Sequence, residues 1–444
     1  MLQTFKNAWK VQELRKKILF TLMIILLYRI GATLYVPFVN VQLLHTLSDI
    51  TTGNIFQFLN TLSGNAFKNG TFFALSVSPY ITASIVMQLL TIAIPALERL
   101  SKQGEAGKKK IAGYTRLVTV LLALLTAYGY VELLNSNGVL MVAKGDSFYY
   151  FQLAVMMACL CAGASLVMWL AERINDHGIG NGISIILFAN IISDAGSQFE
   201  SMKAMIMNTY TGEFFAGWDL ASGIIKIVIS LALAVLAVGL IVWFTNSERR
   251  IPIQYAKRVV GRKMYGGQSS NLPLKMNMAG VMPVIFASSI VSLPATIASF
   301  IPNTGFGRFI NNWFSYTSVA YIALFLILIF AFSYFYIMIS FNPIEVANNI
   351  KSNGGSIPGI RPGKPTTDYI KKVLNRVTLV GAVFLGVIAG VPMIANAIFS
   401  AFEISFTSIA FTGTSLLIVV GVALETVREL EAQLSMRNYK GFLD

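Results

Sequence analysis

The sequence predicts an all-α polytopic membrane protein of ten spans, split into two five-helix halves. Three observations carry this. Of 444 residues, 55% are hydrophobic and only 12% charged, about half the charge of a soluble domain, and mean hydropathy is +0.66. Ten continuous apolar windows approach or exceed the roughly 20 residues a helix needs to cross the hydrocarbon core. They do not alternate apolar with polar, as strands of a membrane β-barrel must. Finally, if the N-terminus is cytoplasmic, the inside segments hold 28 of the 34 Lys and Arg residues, the bias of an N-in, C-in chain with an even number of spans.

The N-tail, 1–17, carries Lys6, Lys10, Arg15, Lys16 and Lys17 ahead of ILFTLMIILLYRIGATLYVPF. That run is too long for a cleavable signal core and has no small-x-small site at its end, so 18–38 is read as a retained first span. The second, 71–94, is preceded by the polar stretch NTLSGNAFKNG. Irregular backbone at membrane depth survives only when buried in protein or lining a water-filled cavity. The stretch is therefore either an external loop or a short segment, Phe56 to Ala66, re-entering a funnel. Pro79 lacks a backbone donor and permits a bend in the span.

The third and fourth spans are 115–135 and 149–171. GIGNGIS, 178–184, has no strand before it and so does not fit a phosphate-cradling loop; it reads as a tight turn that starts the fifth span, 182–200. The sixth to tenth spans are 221–245, 278–301, 317–340, 373–395 and 405–427. The halves, 18–200 and 201–427, then enter the membrane from opposite sides, an inverted topology common in transporters. The C-tail is 428–444.

Two basic loops, 246–277 and 341–372, are organised. IPIQYAKRVV is strand-like, GRK is a turn and a second extended piece follows. In the other loop Asn342 caps a helix with Pro343 at its first position, and Gly354 ends it. SIPGIRPGKP is a stiff tip, after which Thr367 or Asp368 caps the next helix. Such tips suggest docking surfaces for nucleic acid, acidic lipid or protein.

The spans lack the paired acids of ion-coupled transporters. Glu172 and Glu425 read as solvated span-end carboxylates. Arg29, the one obvious intramembrane charge, reads as held by helix-end carbonyls. Cys159 and Cys161 read as packed thiols, and His45 and His177 are isolated, so neither a metal nor any other cofactor is expected. No Walker sequence exists, so an energy source would belong to a partner. Val77 and Ile81 share a helix face, as do Ile183 and Leu187; they either face lipid or form a hydrophobic constriction.

PYITASIVMQLL (79–90), GIGNGISII (178–186), LPLKMNMAGVMPVIFASSI (272–290), SIPGIRPG (356–363) and GTSLLIVV (413–420) resemble, in order along the chain, the SecY family of protein-conducting channel subunits. The resemblance implies a non-enzymatic channel in the bacterial plasma membrane, with an hourglass pore between inverted halves. It passes unfolded secretory polypeptides and releases membrane segments sideways into lipid.

Carried over by motif, the pore ring would be Val77, Ile81, Ile183, Leu187, Ile285 and Ile418. The plug would be 56–70, with Phe56, Phe58, Leu59, Leu62, Ser63, Gly64 and Asn65. The lateral gate would lie between spans two and three and spans seven and eight, with Thr82, Ser84, Ile85, Gln88, Ser288 and Ser289. Arg249, Arg250, Lys257, Arg258, Arg262, Lys263, Arg361 and Lys364 would meet the ribosome or the SecA ATPase.

Implied partners are SecE, SecG, SecA, the ribosome, signal peptides and nascent chains, membrane lipid, and accessory insertion and export proteins. Val77 and Leu187 stand where isoleucine is common. Ser76 and Ser78 depart from a Gly-apolar-apolar-Pro pattern, and the fifth span lacks a Pro pair at its external end. A secondary transporter shares the inverted halves but needs intramembrane acids. An intramembrane enzyme needs convergent catalytic groups that the spans do not offer.

Overall fold

Helices occupy all ten apolar windows, and most of their ends are set by Gly, Pro or Asn at the boundary. The computed structural model describes residues 2–46, 60–141, 148–194, 216–255, 258–260, 263–265, 269–300, 318–401 and 413–440, with positions 196, 305 and 313. A short α1 (Leu2–Lys10) leads into α2 (Gln12–Gly31), followed by α3 (Val41–Thr46), α4 (Ser78–Ala93), α5 (Pro95–Ser101), α6 (Glu105–Ser136) and α7 (Tyr149–His177). Next come α8 (Gly182–Asp194) and α9 (Ala216–Asn246). Strands β1 (Glu248–Tyr255), β2 (Arg258–Val260), β3 (Lys263–Tyr265) and β4 (Ser269–Lys275) precede α10 (Met282–Phe300), α11 (Val319–Ser340) and α12 (Pro343–Ser352). Strand β5 (Gly355–Ser356), α13 (Lys364–Ala401) and α14 (Gly413–Lys440) complete the chain.

The result is a bundle of membrane-spanning helices with a small sheet at one end. Among the described residues, four helical stretches are each long and apolar enough to cross a bilayer: 105–136, 149–177, 319–352 and 364–395. Helices α4 and α5 qualify together, bent by 104° at Ile94. Pro95 causes the bend: it drives Ile94 into extended backbone (φ −108°, ψ 114°) and restarts the helix at its own first position.

The structure corrects several boundaries. The first helix runs 12–31, not 18–38. Beyond it Phe38 has φ 65°, and Tyr35 bridges to Thr71. Residues 71–77, read as helical, form turns, and α4 begins at Ser78. Pro79 therefore does not break a span. It sits in the first turn, where a missing donor costs nothing. Helix α13 starts at Lys364, so neither Thr367 nor Asp368 caps it. Their place is taken by Gly363 (φ 108°), while Thr367 donates its hydroxyl back to the Gly363 carbonyl at 3.4 Å.

The other signals hold. Asn342 accepts a hydrogen bond from the Ile344 amide at 3.2 Å and Pro343 opens α12. Gly354, at φ 71°, follows its end. At the turn into α8, Asn181 Oδ1 accepts from the Ile183 amide at 3.1 Å and caps the helix. Gly182 is obligatory there, because a Cβ would lie 2.0 Å from the Ala171 carbonyl oxygen of α7.

Strand order in the main sheet is β4-β1-β5, with Ile251 opposite Leu272 and Gln254 opposite Ser356. Strand β2 pairs β3, with Val260 opposite Lys263; Lys263, read as part of the GRK turn, is on the strand, and Gly261 and Arg262 lie outside the described residues. The β5 pairing was not foreseen, and it joins the two basic loops into one unit. Ile251, Ile253, Leu274, Ala347, Ile350 and Ile370 form its own apolar core.

Gly182→Ala should lower the thermal unfolding midpoint of the purified protein, by overpacking worth about 1–3 kcal/mol. Gly239→Ala, where nothing lies within 4 Å of the added methyl, should leave the midpoint unchanged or slightly raised.

Candidate functional site

The largest apolar cluster gathers residues from widely separated helices. Val77 caps α4 and accepts the Ile81 amide at 3.0 Å, which sets the two side chains one turn apart. Both are buried, as are Leu187 of α8, Ile285 of α10 and Ile418 of α14, and all five belong to this cluster. Ile183 is half-buried and packs against it. Leu62, from the polar stretch before α4, is a member too.

Of the expected plug residues, Phe56, Phe58 and Leu59 lie outside the described residues. The rest of that stretch is a single helical turn at 60–63 followed by turns to 77. Ser63 is fully buried, and its hydroxyl accepts the Phe67 amide at 3.0 Å. Gly64 and Asn65 are left-handed, at φ 62° and 70°. Asn65 Oδ1 accepts from Asn60 Nδ2 at 2.7 Å.

Two buried polar side chains hold this stretch by one carbonyl, and a third, Tyr28, bonds to both of them. Asn190 Nδ2 donates to the Leu62 carbonyl at 2.6 Å and to Tyr28 Oη at 3.0 Å. Ser76 Oγ donates to the same carbonyl at 3.1 Å and lies 3.4 Å from Tyr28 Oη. Asn190 and Tyr28 are 0% exposed and Ser76 is 1% exposed. Ser76 also has φ 51°, a conformation that costs a non-glycine residue about 1–2 kcal/mol.

Arg29 donates to the carbonyls of Gly64, at 3.4 Å, and of Ala189. Arg29 is expected to be held by helix-end carbonyls; the Gly64 carbonyl follows the helical turn 60–63, but that of Ala189 lies inside α8. Sequence reading singled out neither Tyr28 nor Asn190, and it noted Ser76 only as a departure. Asn190 lies 128 residues from Leu62, and no local pattern marks such a pairing.

The expected gate residues fall on α4 and α10, which pack together; α10 also packs on α6. Ile85 is fully buried, and Thr82, Ser288 and Ser289 are buried. Ser84 and Gln88 are half-buried, and Gln88 Nε2 donates to Ser84 Oγ at 3.4 Å. Ser288 and Ser289 both donate to the Ile285 carbonyl at 2.9 Å, and Thr82 to Ser78 at 3.1 Å. Hydroxyls turned back onto their own helix do not tie α4 to α10.

In the basic unit Arg249, Arg250, Arg361 and Lys364 are exposed. Arg250 lies 3.6 Å from Glu248. The backbone of Arg258 and Lys263 lies on β2 and β3; Lys257 and Arg262 lie outside the described residues. Glu172 is not the solvated carboxylate expected. It pairs with Arg116 at 2.8 Å, joining α6 to α7. Cys159 and Cys161 are free thiols. Among the described residues no group of three or more His, Cys, Asp and Glu could hold a metal ion.

Comparison with known proteins places these features in a family. The SecY family model matches residues 71–427. The chain is 44% identical over 454 residues, with 100% of both sequences covered, to the protein translocase subunit SecY of Streptomyces coelicolor. It is 41% identical over 458 residues, again with 100% of both covered, to that of Mycobacterium bovis. The solved structure described as "The structure of a protein conducting channel" shares its fold at TM-score 0.63 and 18% identity, covering 94% of this chain and 92% of that one.

Ile370→Ala should open a cavity beneath the small sheet, costing about 2–5 kcal/mol. Limited trypsin digestion should then cut the 246–277 loop faster, at its Lys and Arg positions, than in the parent protein.

Proposed function

The chain belongs to the SecY family, and we propose that it is the channel-forming subunit of a protein translocase in a bacterial plasma membrane. It conducts unfolded polypeptide and has no catalytic chemistry of its own. One observation carries the reading: Val77, Ile81, Leu187, Ile285 and Ile418, from α4, α8, α10 and α14, are buried in one cluster, with Ile183 packed against it and Leu62 of the stretch before α4 a member too. A lipid-facing stripe would instead leave those side chains exposed.

In this reading helices α2, α4, α6, α7 and α8 form one half, 18–200, and α9, α10, α11, α13 and α14 the other, 201–427, in inverted orientation. An hourglass pore lies between them, with both termini cytoplasmic. Val77, Ile81, Ile183, Leu187, Ile285 and Ile418 form its waist. Aliphatic contacts are non-directional, so such a ring closes around any side chain, and when empty it holds back ions by dewetting.

Segment 56–70 plugs the external side of the ring. The seam where α10 meets α4 and α6 is the lateral gate, flanked by Thr82, Ser84, Ile85, Gln88, Ser288 and Ser289. The joined basic loops present Arg249, Arg250, Arg258, Lys263, Arg361 and Lys364 to SecA or to ribosomal RNA, whose phosphates take Arg and Lys contacts independently of sequence. SecE and SecG complete the channel, and the ATPase or the ribosome supplies the driving force.

Two measurements test this. Ile81→Asn, in the assembled channel reconstituted into a planar bilayer, should conduct ions at rest; a conductance equal to the parent's removes Ile81 from the ring. Arg361→Glu should slow SecA-driven translocation into proteoliposomes at least about tenfold, the loss of one desolvated charge contact, with membrane assembly unchanged. Translocation at the parent rate removes Arg361 from the docking surface.

A further inference from the structure

The polar groups beside the ring form a closed circuit around one carbonyl oxygen. Asn190 has two amide protons: one goes to the Leu62 carbonyl at 2.6 Å and the other to Tyr28 Oη at 3.0 Å. Tyr28 can then donate to Ser76 Oγ at 3.4 Å, and Ser76 donates to the Leu62 carbonyl at 3.1 Å. Every proton in the circuit is used, and the Leu62 oxygen fills both lone pairs. Two residues further on, Arg29 reaches the Gly64 carbonyl from the same helix as Tyr28.

All the fixed donors stand on the channel wall. Tyr28 and Arg29 are on α2, Asn190 is on α8, and Ser76 immediately precedes Val77. The Leu62 and Gly64 carbonyls stand on the segment, and Arg29 also donates to the Ala189 carbonyl of α8. Asn190 lies three residues beyond Leu187, so the circuit sits one turn from the ring. Gly64 belongs to the fit, because a Cβ there would lie 2.8 Å from the Arg29 guanidinium and 3.1 Å from the Asn190 Cα.

Resting on the channel reading above, we propose that Tyr28, Ser76, Asn190 and Arg29 are a latch that fastens segment 60–70 in the closed channel. The bonds of these four residues engage only backbone carbonyls of the segment, so the latch asks of the segment's side chains only that position 64 has none. When the segment leaves, the Asn190, Ser76 and Arg29 protons directed at its carbonyls are released together and face the pore, while Arg29 keeps the Ala189 carbonyl of α8. They are the groups that hydrogen-bond to a peptide carbonyl, and an extended polypeptide in transit offers such carbonyls at every residue. The latch thus exchanges one backbone for another, and opening does not strand buried donors.

The test measures resting ion conductance of the complete channel complex in planar bilayers. It compares the parent, Asn190→Leu, Gly64→Ala, a form lacking residues 60–70, and that deletion combined with Asn190→Leu. Asn190→Leu disturbs the wall and Gly64→Ala the segment, so a folding fault in one does not decide the outcome. Each should raise resting conductance about tenfold, the population shift that roughly 1.4 kcal/mol of lost closed-state stability produces. On the deletion background Asn190→Leu should add nothing.

The latch is overturned, and the channel reading kept, if the deletion leaks while Asn190→Leu conducts like the parent. It is overturned likewise if Asn190→Leu raises the conductance of the deletion form by the same factor as in the full chain. If neither the deletion nor Ile81→Asn leaks, the channel reading falls and the latch with it.

Discussion

Residues 60–77 set the terms for the rest of this structure, because they are irregular backbone surrounded by apolar helices. A helix satisfies its own amides and carbonyls; this segment cannot, and each polar group left unpaired away from water would cost several kcal/mol. Its bonds are therefore found one by one. The Phe67 amide goes to Ser63 Oγ and the Lys68 amide to Asn60 Oδ1. The Thr71 amide goes to the Ala66 carbonyl and the Phe72 amide to that of Leu34. The carbonyls of Leu62, Gly64 and Phe67 take side-chain donors from α8, α2 and α6, respectively Asn190, Arg29 and Tyr130. The polar composition of NTLSGNAFKNG is what this accounting requires.

The same segment dictates where neighbouring helices must be smooth. A Cβ on Gly163 of α7 would lie 2.0 Å from the Phe72 carbonyl oxygen, and one on Gly31 of α2 would lie 2.1 Å from the Phe73 ring. Phe73 stacks on Tyr28 at 5.3 Å, nearly parallel, which holds the phenol in place for its hydrogen bonds. Close approach at three glycines, counting Gly182, lets an irregular strand and a tight turn lie inside the bundle without prising it apart. Interiors are packed too densely to absorb such misfits otherwise.

How much of this was legible in the sequence follows from the range of the interactions involved. Hydropathy located a helix in every apolar window, because twenty consecutive apolar residues have few other uses. A local cap was legible for the same reason: Asn342 with Pro343 acts within three residues of itself. Helix starts were misjudged where apolar composition continued into turns. Residues 71–77 are as apolar as a span, and only the left-handed Ser76 and the partners across the bundle make them turns. Pro79 reads as permitting a bend within a span because the residues on both sides of it look helical. The joining of the two basic loops through β5 was invisible, since a two-residue strand has no pattern of its own. Arg29 could be read, as a charge at that depth must find partners; Asn190 could not, as a lone Asn in an apolar helix has too many ordinary explanations.

In the proposed channel the aliphatic ring and the hydrogen-bond circuit next to it would be two seals of different character, and a conduit for arbitrary sequence has use for both. Dispersion and hydrophobic contact grow with area and have no preferred direction, so such a ring would yield smoothly and reclose around whatever passes. Hydrogen bonds weaken steeply once their angle is lost, so the circuit through Leu62 holds until the segment moves and then releases as a unit. Ser76 couples the two, since its hydroxyl belongs to the circuit and the next residue, Val77, to the ring cluster. A residue held at φ 51° has a lower-energy backbone available once its bond is broken. On that proposal, the serine that departs from the Gly-apolar-apolar-Pro pattern would stiffen the closed form and favour movement after release. Glycine there would remove the strain and the bond together, leaving the ring to seal the channel alone.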